Sequence, residues 1–155
     1  MRIQWKKLVV CIVIPLAVGG VAALLTMNSM KTFASLNQPL LSPPAWLFPV
    51  VWTILYTLMG IASYLVATSD KTYRARSALT FYGIQLAFNF LWSIVFFNLE
   101  AYWVAFVWLV LLWGLILITT VLFYRISKTA GYLLIPYLLW VTFAGYLNLT
   151  IAILN

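Results

Sequence analysis

The sequence has no histidine, a single cysteine and only two acidic residues. The cysteine is Cys11, and the acids are Asp70 and Glu100, far apart in the chain. Metal sites, disulfides, Cys–His pairs and carboxylate dyads each need several such groups together. The sequence therefore predicts no metal and excludes conventional hydrolase and metalloenzyme sites within one chain.

Charge is scarce as well, because 66% of the residues are hydrophobic, 7% are charged and the mean hydropathy is +1.08. Such values lie outside the soluble globular range and predict an integral membrane protein. The charged clusters are separated by apolar runs of roughly 20 residues, the length of a membrane-spanning helix. We predict an all-α membrane protein, one integral membrane domain over residues 1–155, with five spans near 8–26, 45–67, 79–97, 101–124 and 130–153.

The loops predict the orientation of these spans. Eight Lys and Arg residues precede span one or lie between spans two and three and spans four and five, whereas Lys31 alone lies on the other side. The excess of positive loops predicts a cytoplasmic N-terminus and an outside C-terminus. The same charge does not favour nucleic acid, which needs Lys and Arg on a folded soluble face. The first run also resembles a secretory signal, but its near-full membrane length favours a retained helix.

Intramembrane ionisable groups are absent, whereas proton-coupled exporters commonly carry one. A small multidrug antiporter is therefore disfavoured. Cys11 could in principle ligate haem iron as thiolate, but a lone cysteine in an apolar helix is far more often inert packing.

Aromatic and polar side chains instead follow helical stripes. Three spans carry one stripe each: Trp52, Tyr56, Met59 and Ser63; Gln85, Asn89 and Trp92; Tyr137, Trp140, Ala144 and Asn148. Converging stripes would enclose a cavity walled by Trp and Tyr, suited to a flat apolar ligand with polar edges. Interhelical hydrogen bonds that hold a bundle core together explain the same pattern equally well.

The opposite face of span three carries small residues. Gly83 and Ala87 have the small-xxx-small spacing that lets two helices approach closely. We predict that they form a homodimer interface.

Prolines precede span two. Pro43 and Pro44 are expected to hold the preceding loop extended and to preset the first helical turn. Pro49 predicts that the helix begins near Leu47 or bends there.

Three motifs in order, "LNQPLLSPPAWLFPVVWTILYTLMGIASYLV", "IQLAFNFLWSIVFF" and "LLIPYLLWVTFAGYLNLTIAILN", resemble the translocator protein family, also called the tryptophan-rich sensory protein or peripheral-type benzodiazepine receptor family. The resemblance covers nearly the whole chain. It implies a homodimeric five-helix bundle that binds porphyrins, such as protoporphyrin IX or haem, and other planar apolar molecules of benzodiazepine or isoquinoline type. It implies no obligatory cofactor and a bacterial plasma membrane, with lipid as surroundings.

The resemblance also assigns residues. Trp52 and Trp140 match the tryptophans linked to porphyrin binding and light-dependent breakdown, and Asn89 and Trp92 match the pocket stripe. Phe33 lies in the loop over the pocket, where many relatives have an aromatic hydroxyl. Gln38 likewise replaces a basic residue, which weakens contact with a propionate. No basic residue follows Lys128, so a sterol site is not predicted.

Two functional classes follow from this pattern. The first is a membrane receptor or carrier that binds tetrapyrroles, with a sensory or regulatory role. The second is an enzyme that degrades protoporphyrin IX oxidatively in light, with Trp52 and Trp140 as donors. A purely structural membrane component, which would bind no ligand saturably, is a third alternative.

Overall fold

The computed structural model describes residues 2–155, and all the regular elements in that range are helical. Five helices are long and apolar enough to cross a membrane. They are α1 (Trp5–Thr26), α3 (Leu47–Ala67), α4 (Thr72–Ser93), α5 (Tyr102–Ile126) and α6 (Lys128–Leu154). A short helix, α2 (Met30–Ser35), follows α1 after a 3-10 turn. The predicted all-α fold with five membrane-spanning helices is confirmed.

The ends of the helices differ from the predicted spans. The clearest case is α4, which begins at Thr72 although the predicted span begins at residue 79. Arg74 and Arg76 therefore lie on the helix rather than in a loop. Charged side chains mark where the chain leaves hydrocarbon, and a helix can continue past that level into the headgroup region.

The prolines before α3 occupy two different positions. Pro49 lies in the first turn of α3, where the backbone N–H has no intrahelical partner, so the helix needs no bend. The expectation that Pro43 and Pro44 preset that first turn is wrong, because α3 begins only at Leu47. Instead, the backbone N–H of Leu47 donates to the carbonyl of Pro44 at 3.0 Å in a turn before the helix.

Neighbouring helices around the bundle follow the order α1, α3, α6, α5 and α4, and α4 closes the bundle against α3 and α1. The inward faces of α3, α4, α5 and α6 form one hydrophobic core. Residues on the outer faces of all five long helices are apolar and exposed, as expected for surfaces that meet lipid.

A close approach of α1 and α3 depends on glycine. A Cβ added at Gly60 would lie 2.5 Å from the Cα of Ile12 and 2.7 Å from the carbonyl oxygen of Cys11. Gly19 of α1 likewise leaves space for the ring of Tyr56. The two helices are therefore packed backbone to backbone, and this packing fixes the position of Tyr56.

The bundle has two chemically different ends. The N-terminus, the α3–α4 connection and the α5–α6 connection meet at one end, which we call the basic end, and it carries all the Lys and Arg residues except Lys31. At the other end α4 finishes in a π-helical turn, Ile94–Asn98, and α2 packs against it through Phe33. Glu100 follows that turn with a φ of 51°, an uncommon conformation for a residue other than glycine.

Candidate functional site

The three stripes converge on a buried chain of hydrogen bonds. The hydroxyl of Tyr137 in α6 donates to Oε1 of Gln85 at 2.7 Å and accepts from Nδ2 of Asn89 at 2.7 Å. The hydroxyl of Tyr56 in α3 donates to Oδ1 of Asn89 at 3.0 Å. Nε2 of Gln85 lies 3.9 Å from the sulfur of Met59. We call these five side chains the polar cluster, and together they link α3, α4 and α6.

The polar cluster is sealed from solvent and lipid. Tyr137 and Gln85 are each 1% exposed, Asn89 is 2% exposed and Met59 is fully buried. Buried amides and hydroxyls need partners, and here each amide finds them on another helix. The interhelical hydrogen bonding that the sequence left open is therefore present in the fold.

A second polar layer lies closer to the end that carries α2. The indole Nε1 of Trp92 donates to Oδ1 of Asn148 at 3.1 Å, and Nδ2 of Asn148 donates to the carbonyl oxygen of Tyr102 at 2.9 Å. Asn148 is 1% exposed, whereas Trp92 is half-buried. The layer connects α4, α5 and α6.

The two tryptophans assigned by resemblance are half-buried beside the polar cluster. Trp52 stacks on Tyr56 with ring centroids 5.4 Å apart and meets Tyr137 edge-on at 6.2 Å. Trp140 lies one helical turn beyond Tyr137 and packs edge-on against Phe48 at 6.0 Å. The half-buried Ala144 follows Trp140 on the same face of α6. We call the rings of Trp52, Trp140 and Phe48 the apolar wall, and the polar cluster lies beside it as its floor.

α2 and the segment that joins it to α3 cover one end of this wall, and Phe33 therefore lies on a short helix rather than in a loop. Phe33 packs against Phe48 at 6.4 Å and against Phe97 at 5.4 Å. Gln38 is engaged within the segment, because its Nε2 donates to the carbonyl of Phe33 at 2.8 Å and its Oε1 accepts from Ser42. The segment is also tied to the C-terminus through Asn37, whose backbone N–H donates to Oδ1 of Asn155 at 3.1 Å.

Sequence reasoning missed three aromatic residues of this region. Phe48 lies four residues before Trp52 and Phe96 four residues after Trp92, so both extend predicted stripes by one turn. Continuing the stripes would have found them. Tyr102, at the start of α5, belongs to no stripe; it packs on Phe96 at 5.2 Å, and its carbonyl accepts from Asn148.

The small residues of α4 lie on the face opposite the polar cluster. Gly83 and Ala87 are exposed, and a Cβ added at Gly83 would meet nothing within 4 Å. No other helix of the described chain therefore covers Gly83.

The chemistry available in this region is that of neutral groups. Within residues 2–155 no three His, Cys, Asp or Glu side chains come together in a possible metal site. Amides and phenol hydroxyls orient a ligand through hydrogen bonds, and indole and phenol rings stack on it or donate an electron. Neither the polar cluster nor Trp52 and Trp140 supplies a general acid or base with a pKa near neutrality.

One family model and several known proteins match this chain. Residues 11–154 match the model of the TspO/MBR family. The chain is 41% identical to the tryptophan-rich protein TspO of Chlorobaculum tepidum, over 100% of this chain and 99% of that protein. It is 40% identical to the protein CrtK of Rhodobacter capsulatus, over 79% and 78% respectively. It is 38% identical to the translocator protein of Homo sapiens, over 78% and 73%.

Proposed function

The chain belongs to the TspO/MBR family, and from that premise we propose that it is a membrane receptor or carrier for porphyrins and similar planar apolar molecules. Family membership and five membrane-spanning helices support a membrane protein of sensory or transport type. The proposed ligands are protoporphyrin IX or haem, and smaller flat molecules of benzodiazepine or isoquinoline type.

One observation carries the proposal, namely that half-buried tryptophans stand beside a fully bonded polar cluster. A bundle held together only by packing needs no indole at Trp52 and Trp140, and both rings keep part of their surface uncovered. The face of an indole or phenol ring stacks favourably on another flat ring, which favours a planar ligand.

The polar cluster and the tryptophans have different roles in this proposal. Because Asn89 and Gln85 already bond to tyrosine hydroxyls, the cluster acts as a rigid floor that holds α3, α4 and α6 at a fixed separation. The ligand then lies against Trp52 and Trp140. α2 and the segment after it act as a cover, since Phe33 packs against Phe48 and Asn37 is tied to Asn155.

Titration with protoporphyrin IX in the dark tests the proposal. Protoporphyrin IX added to the protein in detergent is expected to quench the tryptophan fluorescence saturably. A smaller planar competitor of isoquinoline type should displace the porphyrin. Trp103→Phe is the control for replacements of Trp52 and Trp140. Trp103 is 58% exposed on α5, so this variant should bind the porphyrin with unchanged affinity. Quenching that rises linearly with porphyrin concentration and does not saturate would contradict a receptor role and favour a purely structural component.

Light-dependent oxidative degradation of the bound porphyrin is the second candidate function. The stacking of Trp52 on Tyr56 at 5.4 Å favours it, because the paired rings hold an oxidisable indole beside the proposed ligand. The excited porphyrin would pass its energy to dissolved dioxygen, and the activated dioxygen would add to the porphyrin ring, so both oxygen atoms end in the degraded porphyrin and no acid, base or metal of the protein is required.

We also propose a homodimer in a bacterial plasma membrane, with Gly83 and Ala87 at the interface and the basic end in the cytoplasm. The open face at Gly83 supports the interface, and the excess of Lys and Arg at one end supports the orientation.

A further inference from the structure

A cleft of about 450 Å³ opens at the basic end, away from the tryptophans and the polar cluster. It lies where the chain leaves α3 and enters α4. Its polar lining is Ser69, Thr72, Arg76 and Thr80, and Ala75 and Leu79 contribute apolar surface. Because the α4 residues recur at three- and four-residue intervals, they form one stripe along the helix. Polar and apolar side chains therefore alternate along the cleft, and the guanidinium of Arg76 is the one charged group in its lining.

The charge at the basic end, where the cleft opens, is unbalanced. The basic end carries eight Lys and Arg residues, whereas Asp70 is the one acidic residue in its connections. Lys71 is partly used within the protein, because its Nζ donates to the carbonyl of Arg125 at 3.2 Å at the end of α5. The local excess of positive charge favours an anion as the occupant of the cleft.

The lining residues favour a phosphate ester. Arg76 presents a planar set of N–H donors that match phosphate oxygens. Thr72 adds a hydroxyl next to it on the helix. Ser69 and Thr80 donate to the carbonyls of Val66 and Arg76, so their oxygen atoms make the rim polar without adding charge.

The apolar part of the cleft distinguishes a lipid from a free anion. Arg76 is exposed at the basic end of α4, whereas Leu79 is half-buried one turn further along the helix, toward the apolar middle of the span. A lipid has the same order, with its phosphate at the headgroup level and its acyl chains below. Basic pockets between helices on the cytoplasmic side of membrane proteins bind anionic lipid headgroups in this way.

We propose that this cleft is a binding site for one anionic phospholipid, with its phosphodiester on Arg76 and Thr72 and an acyl chain along Ala75 and Leu79. The site shares no residue with the proposed porphyrin site, so it stands whether or not the protein binds porphyrins.

Lipid retention in native mass spectrometry tests the proposal. The protein is exchanged into micelles that contain equal amounts of phosphatidylglycerol and phosphatidylcholine. We expect the parent protein to retain phosphatidylglycerol selectively, and Arg76→Gln to reduce that retention about tenfold, as the loss of one charge-assisted hydrogen bond predicts. Arg74→Gln is the matched control, because Arg74 is exposed two residues away on α4 and does not line the cleft. It should retain the lipid like the parent.

A second variant guards against misfolding of the first. Thr72→Val keeps the shape and the net charge, and it should weaken phosphatidylglycerol retention by a smaller factor than Arg76→Gln.

Equal losses in Arg74→Gln and Arg76→Gln would mean general surface attraction and overturn the site. Equal retention of phosphatidylcholine would mean an apolar groove only. Displacement of the lipid by millimolar inorganic phosphate would identify a free-anion site. Weaker dimers with unchanged lipid retention would mean that a second copy covers the cleft.

Discussion

At the scale of single residues, Tyr137 and Asn89 each make two hydrogen bonds within the polar cluster. The hydroxyl of Tyr137 donates to Gln85 and accepts from Asn89, and Tyr137 is 1% exposed. Tyr137→Phe removes both hydrogen bonds and leaves two buried amides short of a partner. We expect the free energy of unfolding in detergent to fall by about 1–3 kcal/mol. Tyr146→Phe is the control, since Tyr146 is 41% exposed and should change by about 0.5 kcal/mol or less.

Equal stability of the parent and Tyr137→Phe would mean that the amides find new partners, and the cluster would then not be a rigid floor. In that case the ligand itself becomes a candidate partner for Asn89 and Gln85.

Replacing the two half-buried tryptophans tests porphyrin binding and light-dependent porphyrin breakdown separately. Trp52→Phe and Trp140→Phe keep a flat apolar ring but raise the oxidation potential of the side chain. Binding of protoporphyrin IX should weaken by roughly 1 kcal/mol or less, the value of one neutral hydrogen bond. Light-dependent loss of the porphyrin Soret absorbance should slow much more if these indoles donate electrons.

The control is free protoporphyrin IX in the same detergent under the same light. Parental rates in both variants would remove Trp52 and Trp140 from the photochemistry. If the parent bleaches the porphyrin no faster than the detergent control does, the protein is a receptor or carrier and its tryptophans serve only as walls.

At the scale of helices, the close contact of α1 with α3 can be tested by adding a side-chain atom at Gly60. Gly60→Ala gains helix propensity of about 1 kcal/mol, but its Cβ would lie 2.5 Å from the Cα of Ile12, so the helices must separate. We expect a net loss of roughly 1–3 kcal/mol in unfolding free energy, typical of overpacking. Gly20→Ala on α1 meets nothing within 4 Å and should be neutral or stabilising. A stabilised Gly60→Ala would show that α1 can move freely against α3.

Composition and helical periodicity predicted the five long helices and the three stripes, because hydrocarbon demands apolar runs and internal hydrogen bonds. Spacing also placed Gln85 and Asn89 on one face and Gly83 on the other. It could not show that Asn89 bonds to tyrosines of two different helices, since that depends on the packing order around the bundle. The π-helical turn Ile94–Asn98 and the engagement of Gln38 with Phe33 were equally hidden, because neither has a periodic signal.

At the scale of the whole molecule, the unequal charge of the two ends predicts how the bundle sits in the membrane. In a Cys11→Ser background, a cysteine placed at Ser69 should react with a membrane-impermeant maleimide only after the cytoplasmic side is opened. A cysteine at Ser35, which is exposed on α2 at the opposite end, should react in intact cells. The reverse pattern would place the N-terminus outside and contradict the positive-inside argument.

The uncovered face of α4 is where we propose that two copies of the molecule meet. Gly83→Leu adds a side chain where nothing lies within 4 Å, so each protomer should fold as before. If two copies of α4 meet at Gly83 and Ala87, the leucine keeps their backbones apart, and the dimer fraction in detergent should fall at a given protein concentration. Gly114→Leu is the control, because a Cβ added at Gly114 on α5 likewise meets nothing within 4 Å. Analytical ultracentrifugation gives the dimer fraction, and a dark porphyrin titration checks each protomer. Unchanged dimers in Gly83→Leu, or equal losses in both variants, would assign this face of α4 to lipid.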